Sequence, residues 1–493
     1  MSTVAVETAT GRVEGARVDA PGGGTVLRFL GVPYAAPPTG DGRFRAPRRA
    51  EPWPGVRPAL TFGPPAPQSE GVRSRLPSFS VVGWDEDCLT LNVWTPAPDG
   101  TRPVMVWLHG GAYLSGGSAM AVFDGARLAR EGDCVVVTVN YRLGALGDLA
   151  VDPDEDGDAN CGLRDQLAAL AWVHAHADAF GGDRDRITVF GESAGAGSIL
   201  HLIALAEPPP VARAIVQSGE PRTLTTDLAH QVRDALARHL DVEPGLDALR
   251  AAPVDAVLAA QNGVFGELGL ATGLMPFHPC VDDVLVDLDP IDGSRAGRGR
   301  DIDLVIGNTR DELRLFADPR ARDLDDAGLL AMVARLGGPA VDPDAVLAAY
   351  RRDDPERAAG AIWEAARTDA VLRVPALRVA DGHTRAGGTT YVYRFDWEAP
   401  GIGAAHAVDV PFTFGTFDRD GWGDAVGADA RAEALSADLR AAWLAFAHTG
   451  DPSHPGIGTW PAHDPEVRPT LLFASPCRVE SDPDGAARAV WGP

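Results

Sequence analysis

The chain has 493 residues, 45% of them hydrophobic, and a formal net charge of −25 at pH 7. A chain of this length and apolar content can bury a large core, and so strong a negative charge makes nucleic acid an unfavourable partner. The first residues lack the basic and apolar regions of a secretion signal, and no later apolar run reaches the length of a membrane span, so we expect a soluble, cytoplasmic protein without a membrane partner.

The N-terminal part of the chain is typical of short strands and turns. Residues 8–68 are rich in glycine and proline and predict little helix. Leu89, Leu91 and Val93 then alternate with polar residues, as in a strand with one buried face. The run 103–108 is apolar throughout, which favours a strand buried on both faces.

A loop of small residues, His109-Gly110-Gly111-Ala112-Tyr113, follows that buried strand directly. Without bulky side chains, successive backbone N–H groups can turn toward one point. The N–H groups of Gly111 and Ala112 could hold negative charge that develops on a carbonyl oxygen, as in an oxyanion hole. An ordinary glycine turn is the alternative.

The next elements are an apolar strand at 134–139 and a helix at 162–180, where apolar residues recur at helical spacing. His174 and His176 in this helix do not predict a metal site, because residues two apart point to different sides of a helix. The cysteines are odd in number, scattered and without C-x-x-C spacing, so we expect free thiols and no zinc; they are Cys88, Cys134, Cys161, Cys280 and Cys477.

The short stretch Gly191-Glu192-Ser193-Ala194-Gly195 lies between an apolar β-branched run, 187–190, and a helical pattern at 199–203. A G-x-S-x-G turn between a strand and a helix is the context of a nucleophile elbow, in which the serine hydroxyl stands exposed above a sheet. The N–H of Ala194, the residue after the serine, would then join those of Gly111 and Ala112. A plain Gly/Ser-rich loop is the alternative.

Several long motifs now carry a resemblance to a known family. FGGDRDRITVFGESAG from Phe180 and EDCLTLNVWTP from Glu86 resemble the two signatures of the type-B carboxylesterases, the esterase and cholinesterase branch of the α/β-hydrolase fold. The similarity extends from FLGVPYAAPP at Phe29 to AWLAFAHTGDP at Ala442. It implies an α/β fold with a large central, mostly parallel twisted sheet flanked by helices, and helical insertions that form an active-site gorge.

The resemblance also implies a catalytic triad. GNTRDE, ending at Glu312, is similar to the family's acid loop, and HAVDVPF, beginning at His406, is similar to its histidine loop. The chain order Ser193, Glu312, His406 is the order of the hydrolase template. His406 would remove the proton of Ser193 and later return it to the leaving alcohol, while Glu312 would hold the imidazole in the correct tautomer. The alternative is that His406 is a core histidine with its hydrogen bonds satisfied, which is the more common role of a single histidine.

Glu192, Ser198 and Asp409 match positions that form a buried hydrogen-bonded network behind the active site in this family. Two carboxylates brought close together in a low dielectric cannot both ionise cheaply, so one should keep its proton near neutral pH. We expect this network to support His406 without taking part in the chemistry. The alternative is that Glu192 and Asp409 each find separate backbone partners.

The sequence also departs from the family pattern. Asp148 stands where the family usually has Phe, and Leu313 replaces the Gly that commonly follows the acid. The family's disulfide would join Cys88 to a cysteine before the EDCLTLNVWTP signature, but no cysteine precedes Glu86, so Cys88 is expected to stay reduced. The resemblance thins over 220–300 and 319–385, which carry helical patterns and are expected to wall the gorge. Apolar candidates for the pocket, each as well suited to the core, are Tyr113, Phe265, Leu274 and Phe316.

We therefore expect a carboxylic ester hydrolase that works through an acyl-Ser193 intermediate, without cofactor or metal, on small to medium neutral apolar esters. An aryl carbamate or amide hydrolase would use the same triad, and a non-catalytic binding relative is disfavoured by the intact triad residues. No linker or repeat divides the chain, so residues 1–493 are expected to form a single domain. The expected partner is a small-molecule ester, and the protein is expected to be a monomer or a weak homo-oligomer.

Overall fold

A computed structural model of the chain describes residues 2–69, 76–77, 83–152, 154–269, 271–273, 275–316 and 318–492. Within these residues, 13 strands form one sheet. They are β1 (Thr3–Thr8), β2 (Gly11–Asp19), β3 (Thr25–Pro33), β4 (Val56–Pro58), β5 (Thr90–Thr95), β6 (Arg102–Leu108), β7 (Val135–Val139), β8 (Gly182–Glu192), β9 (Arg213–Gln217), β10 (Asp303–Thr309), β11 (Thr390–Phe395), β12 (Pro469–Phe473) and β13 (Arg478–Ser481).

The strand order is β1-β2-β3-β5-β7-β6-β8-β9-β10-β11-β12-β13, with β4 paired to β2. The run from β7 to β12 is parallel throughout. Strands β1, β2, β3 and β5 continue it antiparallel at one edge, and β13 pairs antiparallel with β12 at the other. The predicted large, mostly parallel sheet is confirmed. The carboxyl ends of β6, β8, β9 and β10 therefore meet at one edge, where open α/β sheets place their sites.

Helices cover both faces of the sheet and form the two insertions. They are α1 (Ala126–Glu131), α2 (Gly144–Gly147), α3 (Cys161–His176), α4 (Ala194–Ile203), α5 (Thr226–Leu240), α6 (Leu246–Ala251), α7 (Val254–Leu268), α8 (Pro290–Arg295), α9 (Asp326–Gly337), α10 (Pro343–Arg351), α11 (Ala359–Thr368), α12 (Val374–Arg385), α13 (Val410–Phe414), α14 (Trp422–Val426), α15 (Ala430–Thr449) and α16 (Gly485–Ala489). Among the described residues, no helix combines the length and apolar character needed to cross a bilayer.

The central strands are apolar on both faces because each face packs against helices. Val189 and Phe190 are neighbours in β8 and both fully buried, but they point into different clusters, since successive strand residues face opposite sides. Val189 packs with Leu200 of α4, whereas Phe190 packs edge-on against Trp107 of β6, with 4.9 Å between ring centroids. This double-sided core fixes the strand ends that carry the site.

The sequence predicts most of these elements closely. The apolar run 103–108 is β6, and the predicted helix at 162–180 is α3 followed by a short 3₁₀ turn. The region 220–300 contains α5 to α8, and 319–385 contains α9 to α12, so the helical insertions are present. Of the five cysteine thiols, all are free; four are buried and Cys477 is half-buried.

Candidate active site

Ser193 stands at the turn between β8 and α4, with φ at +57°. The turn is so tight that its glycines cannot carry side chains. A Cβ on Gly191 would lie 2.7 Å from the carbonyl oxygen of Leu108, and a Cβ on Gly195 would lie 2.0 Å from the same oxygen. The N–H of Ser193 donates to the carbonyl of Gln217 at 2.9 Å, which fixes the elbow to the end of β9. The predicted strand, sharp turn and helix are all present.

Ser193, His406 and Glu312 meet although they lie far apart in the sequence. Nε2 of His406 is 2.8 Å from Oγ of Ser193, and Nδ1 of His406 is 2.6 Å from Oε2 of Glu312. Glu312 is fully buried and His406 is nearly so, while Ser193 is half-buried. This alignment of hydroxyl, imidazole and carboxylate is the geometry that an activated serine requires.

Backbone bonds hold the histidine loop against the acid loop. The N–H of His406 donates to the carbonyl of Glu312 at 3.1 Å. Asp311 pairs twice with Ala404: its N–H donates to the Ala404 carbonyl at 2.8 Å, and its Oδ2 accepts from the Ala404 N–H at 3.1 Å. These contacts set the position of the imidazole before any substrate arrives.

Electrostatics favour a charged pair of imidazolium and carboxylate. Burial alone would lower the pKa of His406, but the charges of Glu192 and Glu312 outweigh it and raise this pKa to about 9. Burial would raise the pKa of Glu312, but the charge of His406 and hydrogen bonds from His406, Ser218 and the N–H of Thr309 hold it below its ordinary value. Glu312 is therefore ionised at neutral pH and stabilises positive charge on the ring.

The loop after β6 turns its backbone toward Ser193. Gly111, Ala112 and Tyr113 all have positive φ, at +122°, +56° and +59°, and successive residues of this kind can direct N–H groups into one concavity. The N–H groups of Leu114 and Ser115 both donate to the Gly111 carbonyl at 3.0 Å and fix the turn. In the described part of the chain, no hydrogen bond uses the N–H of Gly111 or Ala112.

Ala194 is the first residue of α4, so its N–H has no acceptor within the helix. It adjoins Ser193 and is the third of the predicted donors, with Gly111 and Ala112. His109 stabilises the loop by two contacts. Its Nδ1 donates to the Gly110 carbonyl at 2.8 Å, and its ring stacks on Tyr141 with 4.5 Å between centroids. Burial lowers the pKa of His109 to about 4, so this ring is neutral.

Gly111→Ala is expected to lower kcat for a short-chain ester by about 10²- to 10³-fold, the usual cost of losing one oxyanion donor. A Cβ there would lie 2.0 Å from the carbonyl oxygen of Ser115, and a φ of +122° suits only glycine, so the loop must move. Steady-state kinetics with p-nitrophenyl butyrate measure the effect. The control is Gly23→Ala, which shares the positive φ, at +96°, but meets nothing within 4 Å. An equal loss in both variants would contradict a role for the loop.

A further pair of buried carboxylates lies close to the histidine. Oε1 of Glu192 is 3.1 Å from Nε2 of His406, at ion-pair distance but without hydrogen-bond geometry. Burial raises the pKa of Glu192 to about 8, with His406 opposing and Asp409 adding to the shift. Oδ2 of Asp409 accepts from the side chain of Gln217 at 2.8 Å, and burial raises the pKa of Asp409 to about 6.

Ser198 does not join Glu192 and Asp409. It lies within α4, where its hydroxyl accepts from the Gln166 amide of α3 at 3.1 Å, because this position of the helix faces α3 and not the histidine. The serine that sequence reasoning missed is Ser218, which directly follows β9 and lies close enough to Glu312 to help hold the pKa of that carboxyl below its ordinary value. Its position after Gln217 at a parallel strand end, in the motif Gln-Ser-Gly, is the signal that could have found it.

The aromatic pocket candidates separate into different environments. Phe316 lies at the site, with its ring centroid 5.5 Å from that of His406 and 43% of its surface exposed. Tyr113 is buried and stacks on His278, with 6.0 Å between centroids. Phe265 is 40% exposed on α7. Leu274 lies outside the described residues.

The described residues contain no group of three or more His, Cys, Asp or Glu side chains that could hold a metal ion. His176 is used in the core: its Nδ1 donates to the carbonyl of Trp172 at 2.7 Å, and the two rings stack.

Comparisons with known proteins identify the family of the chain. The model of the carboxylesterase family matches residues 2–491. The chain is 35% identical to para-nitrobenzyl esterase of Bacillus subtilis, over 98% of this chain and 97% of that protein. It is 37% identical to phenmedipham hydrolase of Pseudarthrobacter oxydans, over 89% of this chain and 90% of that protein.

Solved structures give the same result. The carboxylesterase EST55 of Geobacillus stearothermophilus superposes with a TM-score of 0.88 at 36% identity, covering 99% of each chain. A structure of PNB esterase superposes with a TM-score of 0.87 at 34% identity, covering 100% of each chain. A family match over nearly the whole sequence, with the fold and strand-end site described above, shows that the chain belongs to the carboxylesterase family of α/β-hydrolases and is a serine carboxylesterase.

Proposed function

We propose that Ser193 is the nucleophile, His406 the general base and acid, and Glu312 the carboxylate that orients the histidine. The single observation that carries this assignment is the pair of contacts on His406, 2.8 Å to the hydroxyl of Ser193 and 2.6 Å to the carboxylate of Glu312. Because Glu312 binds Nδ1, the proton of a neutral ring sits on Nδ1 and the lone pair of Nε2 faces the hydroxyl.

The reaction then follows from these positions. Nε2 of His406 takes the proton of Ser193 while Oγ attacks the ester carbonyl, and the negative charge on the carbonyl oxygen is held by the N–H groups of Gly111, Ala112 and Ala194. The imidazolium returns its proton to the leaving alcohol, leaving an acyl group on Ser193. Water, deprotonated by the same nitrogen, hydrolyses this acyl-enzyme and regenerates Ser193. No step requires a cofactor.

Glu192 and Asp409 would both act on the histidine. The carboxyl of Glu192 lies 3.1 Å from Nε2 of His406 and stabilises the imidazolium when it is ionised. Asp409, three residues after the histidine, is held by Gln217. Gln217 connects both sides of the site, since its carbonyl binds the N–H of Ser193. These contacts support a positioning role for the pair and no direct contact with the scissile bond.

Glu192→Gln is expected to move the acid limb of the pH profile of kcat/KM toward lower pH, by about one unit. Only the neutral imidazole can act as base. When Glu192 is ionised, its negative charge raises the pKa of His406, so replacing this carboxyl by an amide lets the ring lose its proton at lower pH. Ser198→Ala, within the helix that follows the elbow and bound to Gln166, serves as the control and should leave the limb in place. An unchanged profile and rate in Glu192→Gln would remove Glu192 from the account.

The proposed substrates are small to medium, neutral, apolar esters. The half-exposed ring of Phe316 beside His406 offers an apolar surface, and a net charge of −25 does little to recruit anions. Aryl carbamates are a second candidate, because the relative from Pseudarthrobacter oxydans is a phenmedipham hydrolase. Both reactions use the same triad, and the preference between the two substrates depends on the side chains that line the pocket around it.

A panel of aryl esters and aryl carbamates that share one leaving group would decide between these classes. The expected result is a kcat/KM for the ester that exceeds that of the carbamate of equal size. The reverse order would make the carbamate the preferred substrate. We also propose that residues 1–493 act as one domain, supported by the family match over 2–491 and by the single sheet that joins both ends of the chain.

A further inference from the structure

The last three residues of the acid loop, Arg310, Asp311 and Glu312, are each held by a hydrogen bond. The N–H of Arg310 donates to the carbonyl of Phe395 at the end of β11, at 2.9 Å. Asp311 and Glu312 bind the backbone of the chain just before and at the histidine of the site. The carbonyl of Arg310 accepts from a side chain instead, Nη2 of Arg373, at 2.6 Å. This contact can therefore be removed by substitution without any change in the loop itself.

Arg373 ends a π-helical turn, Asp369–Arg373, that joins α11 to α12. Such turns are rare and occur frequently at functional sites. Nη1 of Arg373 donates to Oδ1 of Asp369 at 2.6 Å, and Oδ2 of Asp484 lies 3.4 Å from the same nitrogen. The side chain of Arg373 is only 12% exposed. Because the guanidinium is a rigid planar fork, two carboxylates at Nη1 also fix the direction of Nη2 toward the loop carbonyl.

The two carboxylates are themselves held by other parts of the fold. Asp369 is buried and accepts from the hydroxyl of Tyr350 on α10. Asp484, near the C-terminus, accepts from Nη1 of Arg394 on β11 at 2.7 Å. The position of Arg373 is accordingly set by α10, β11 and the C-terminal segment, and the acid loop is fixed against this framework.

We infer that Arg373 is a positioning residue for the proposed triad, and that its bond to the carbonyl of Arg310 keeps Glu312 in place beside His406. Glu312 follows that carbonyl by two residues, and its Oε2 is 2.6 Å from Nδ1 of the histidine. Arg373 acts through the loop and takes no part in proton transfer. The inference rests on the proposed function, because it concerns the acid of the Ser193 site.

Arg373→Lys separates the hydrogen bond from the charge. An ammonium keeps the positive charge beside Asp369 and Asp484, but it is a single point of donation and lacks the second arm that reaches the loop. We expect kcat for p-nitrophenyl butyrate, counted per fluorophosphonate-reactive Ser193, to fall about 10- to 100-fold, the usual cost of a catalytic group displaced by about 1 Å. Arg373→Met should show the same fall and a lower melting temperature, because it leaves two carboxylates without their cation.

The pH profile reports whether the loss comes from Glu312. Burial lowers the pKa of His406, and the charges of Glu192, Glu312 and Asp409 outweigh it. A looser contact with Glu312 lowers this pKa, and a ring with a lower pKa is neutral at lower pH. The acid limb of kcat/KM in Arg373→Lys should therefore move toward lower pH, which a general loss of structure would not produce.

Arg378→Met is the matched control. Arg378 lies on α12, and its Nη2 donates to the backbone carbonyl of Trp491 at 2.8 Å, so this variant loses a bond of the same kind outside the acid loop. Its kcat and its acid limb should match those of the wild type. A wild-type kcat or an unmoved acid limb in Arg373→Lys, or an equal loss in Arg378→Met, would overturn the inference. Ester hydrolysis that survives Ser193→Ala would instead refute the proposed function.

Discussion

Ser193→Ala is expected to lower kcat for p-nitrophenyl butyrate by about 10⁵- to 10⁶-fold, because the variant has no oxygen to form the acyl intermediate. The hydroxyl that it loses is the group 2.8 Å from Nε2 of His406. A small residual rate over the uncatalysed reaction is expected, since the donors at Gly111, Ala112 and Ala194 can still stabilise a water-derived intermediate. Removal of one oxygen atom should leave the fold intact, as a matching melting temperature would show.

The matched control is Ser198→Ala, the same substitution further along α4. Its hydroxyl is buried and bound to Gln166, so its loss should change stability by about 1 kcal/mol and kcat by less than about tenfold. Initial rates at substrate saturation, with active-site titration of the wild type, give the comparison. A Ser193→Ala enzyme that retains more than a few per cent of wild-type kcat would exclude Ser193 as the nucleophile.

The second large effect is expected from Glu312→Gln, which should lower kcat by about 10⁴-fold while keeping the shape of the side chain. Oε1 of Glu312 accepts from the N–H of Thr309 at 2.8 Å, so the carbonyl oxygen of a glutamine would stay there. Its amide group would then donate to Nδ1 of His406 and force the ring proton onto Nε2. In that tautomer the nitrogen that faces Ser193 cannot accept its proton.

A matched substitution separates this effect from the loss of any carboxylate near the gorge. Glu364→Gln lies on α11, where the carboxylate is 3.7 Å from Arg314 and does not contact the histidine. Its kcat should remain close to that of the wild type. NMR of the imidazole protons would report the tautomer directly: a ring that keeps its proton on Nδ1 in Glu312→Gln, or a loss of less than tenfold in kcat, would contradict the orienting role.

Much of the fold follows from local patterns in the sequence. Short segments of sequence are enough to predict the strands β6 and β7 and the elbow at Ser193. A strand buried on both faces must be apolar throughout, and a tight turn must be built from small residues. Strand order and the pairing of distant elements are not local properties. The resemblance to the carboxylesterases supplied them, and the family match and superposed structures bear it out.

The partners of some side chains in the site could not be predicted from local sequence patterns. Ser198 and Ser218 are both serines near the elbow, and only the direction in which each side chain points decides which one reaches a carboxylate. A helix position facing α3 gives Ser198 a hydrogen bond from Gln166, whereas the turn after β9 places Ser218 near Glu312, where it helps lower the pKa of that carboxyl. Side-chain direction depends on tertiary packing and is not encoded in a motif.

Asp148 shows a second limit of sequence reasoning. It stands where the family usually has Phe, and the structure buries it beside the ion pair of Arg142 and Asp165 with no hydrogen bond to either carboxylate oxygen among the described residues. Burial, with Asp165, raises the pKa of Asp148 to about 8, so this acid is largely protonated at neutral pH. The sequence shows the replacement, but only the structure shows that the side chain remains inside.

The most direct test of the account is covalent labelling of the nucleophile. The wild-type protein would be titrated with a fluorophosphonate while residual p-nitrophenyl butyrate hydrolysis is followed, and the labelled residue would be located by peptide mass spectrometry. We expect activity to fall in proportion to one adduct per chain, carried by Ser193. Complete inactivation with Ser193 unmodified, or full labelling of Ser193 with activity retained, would contradict the assignment of an acyl-serine esterase to this site.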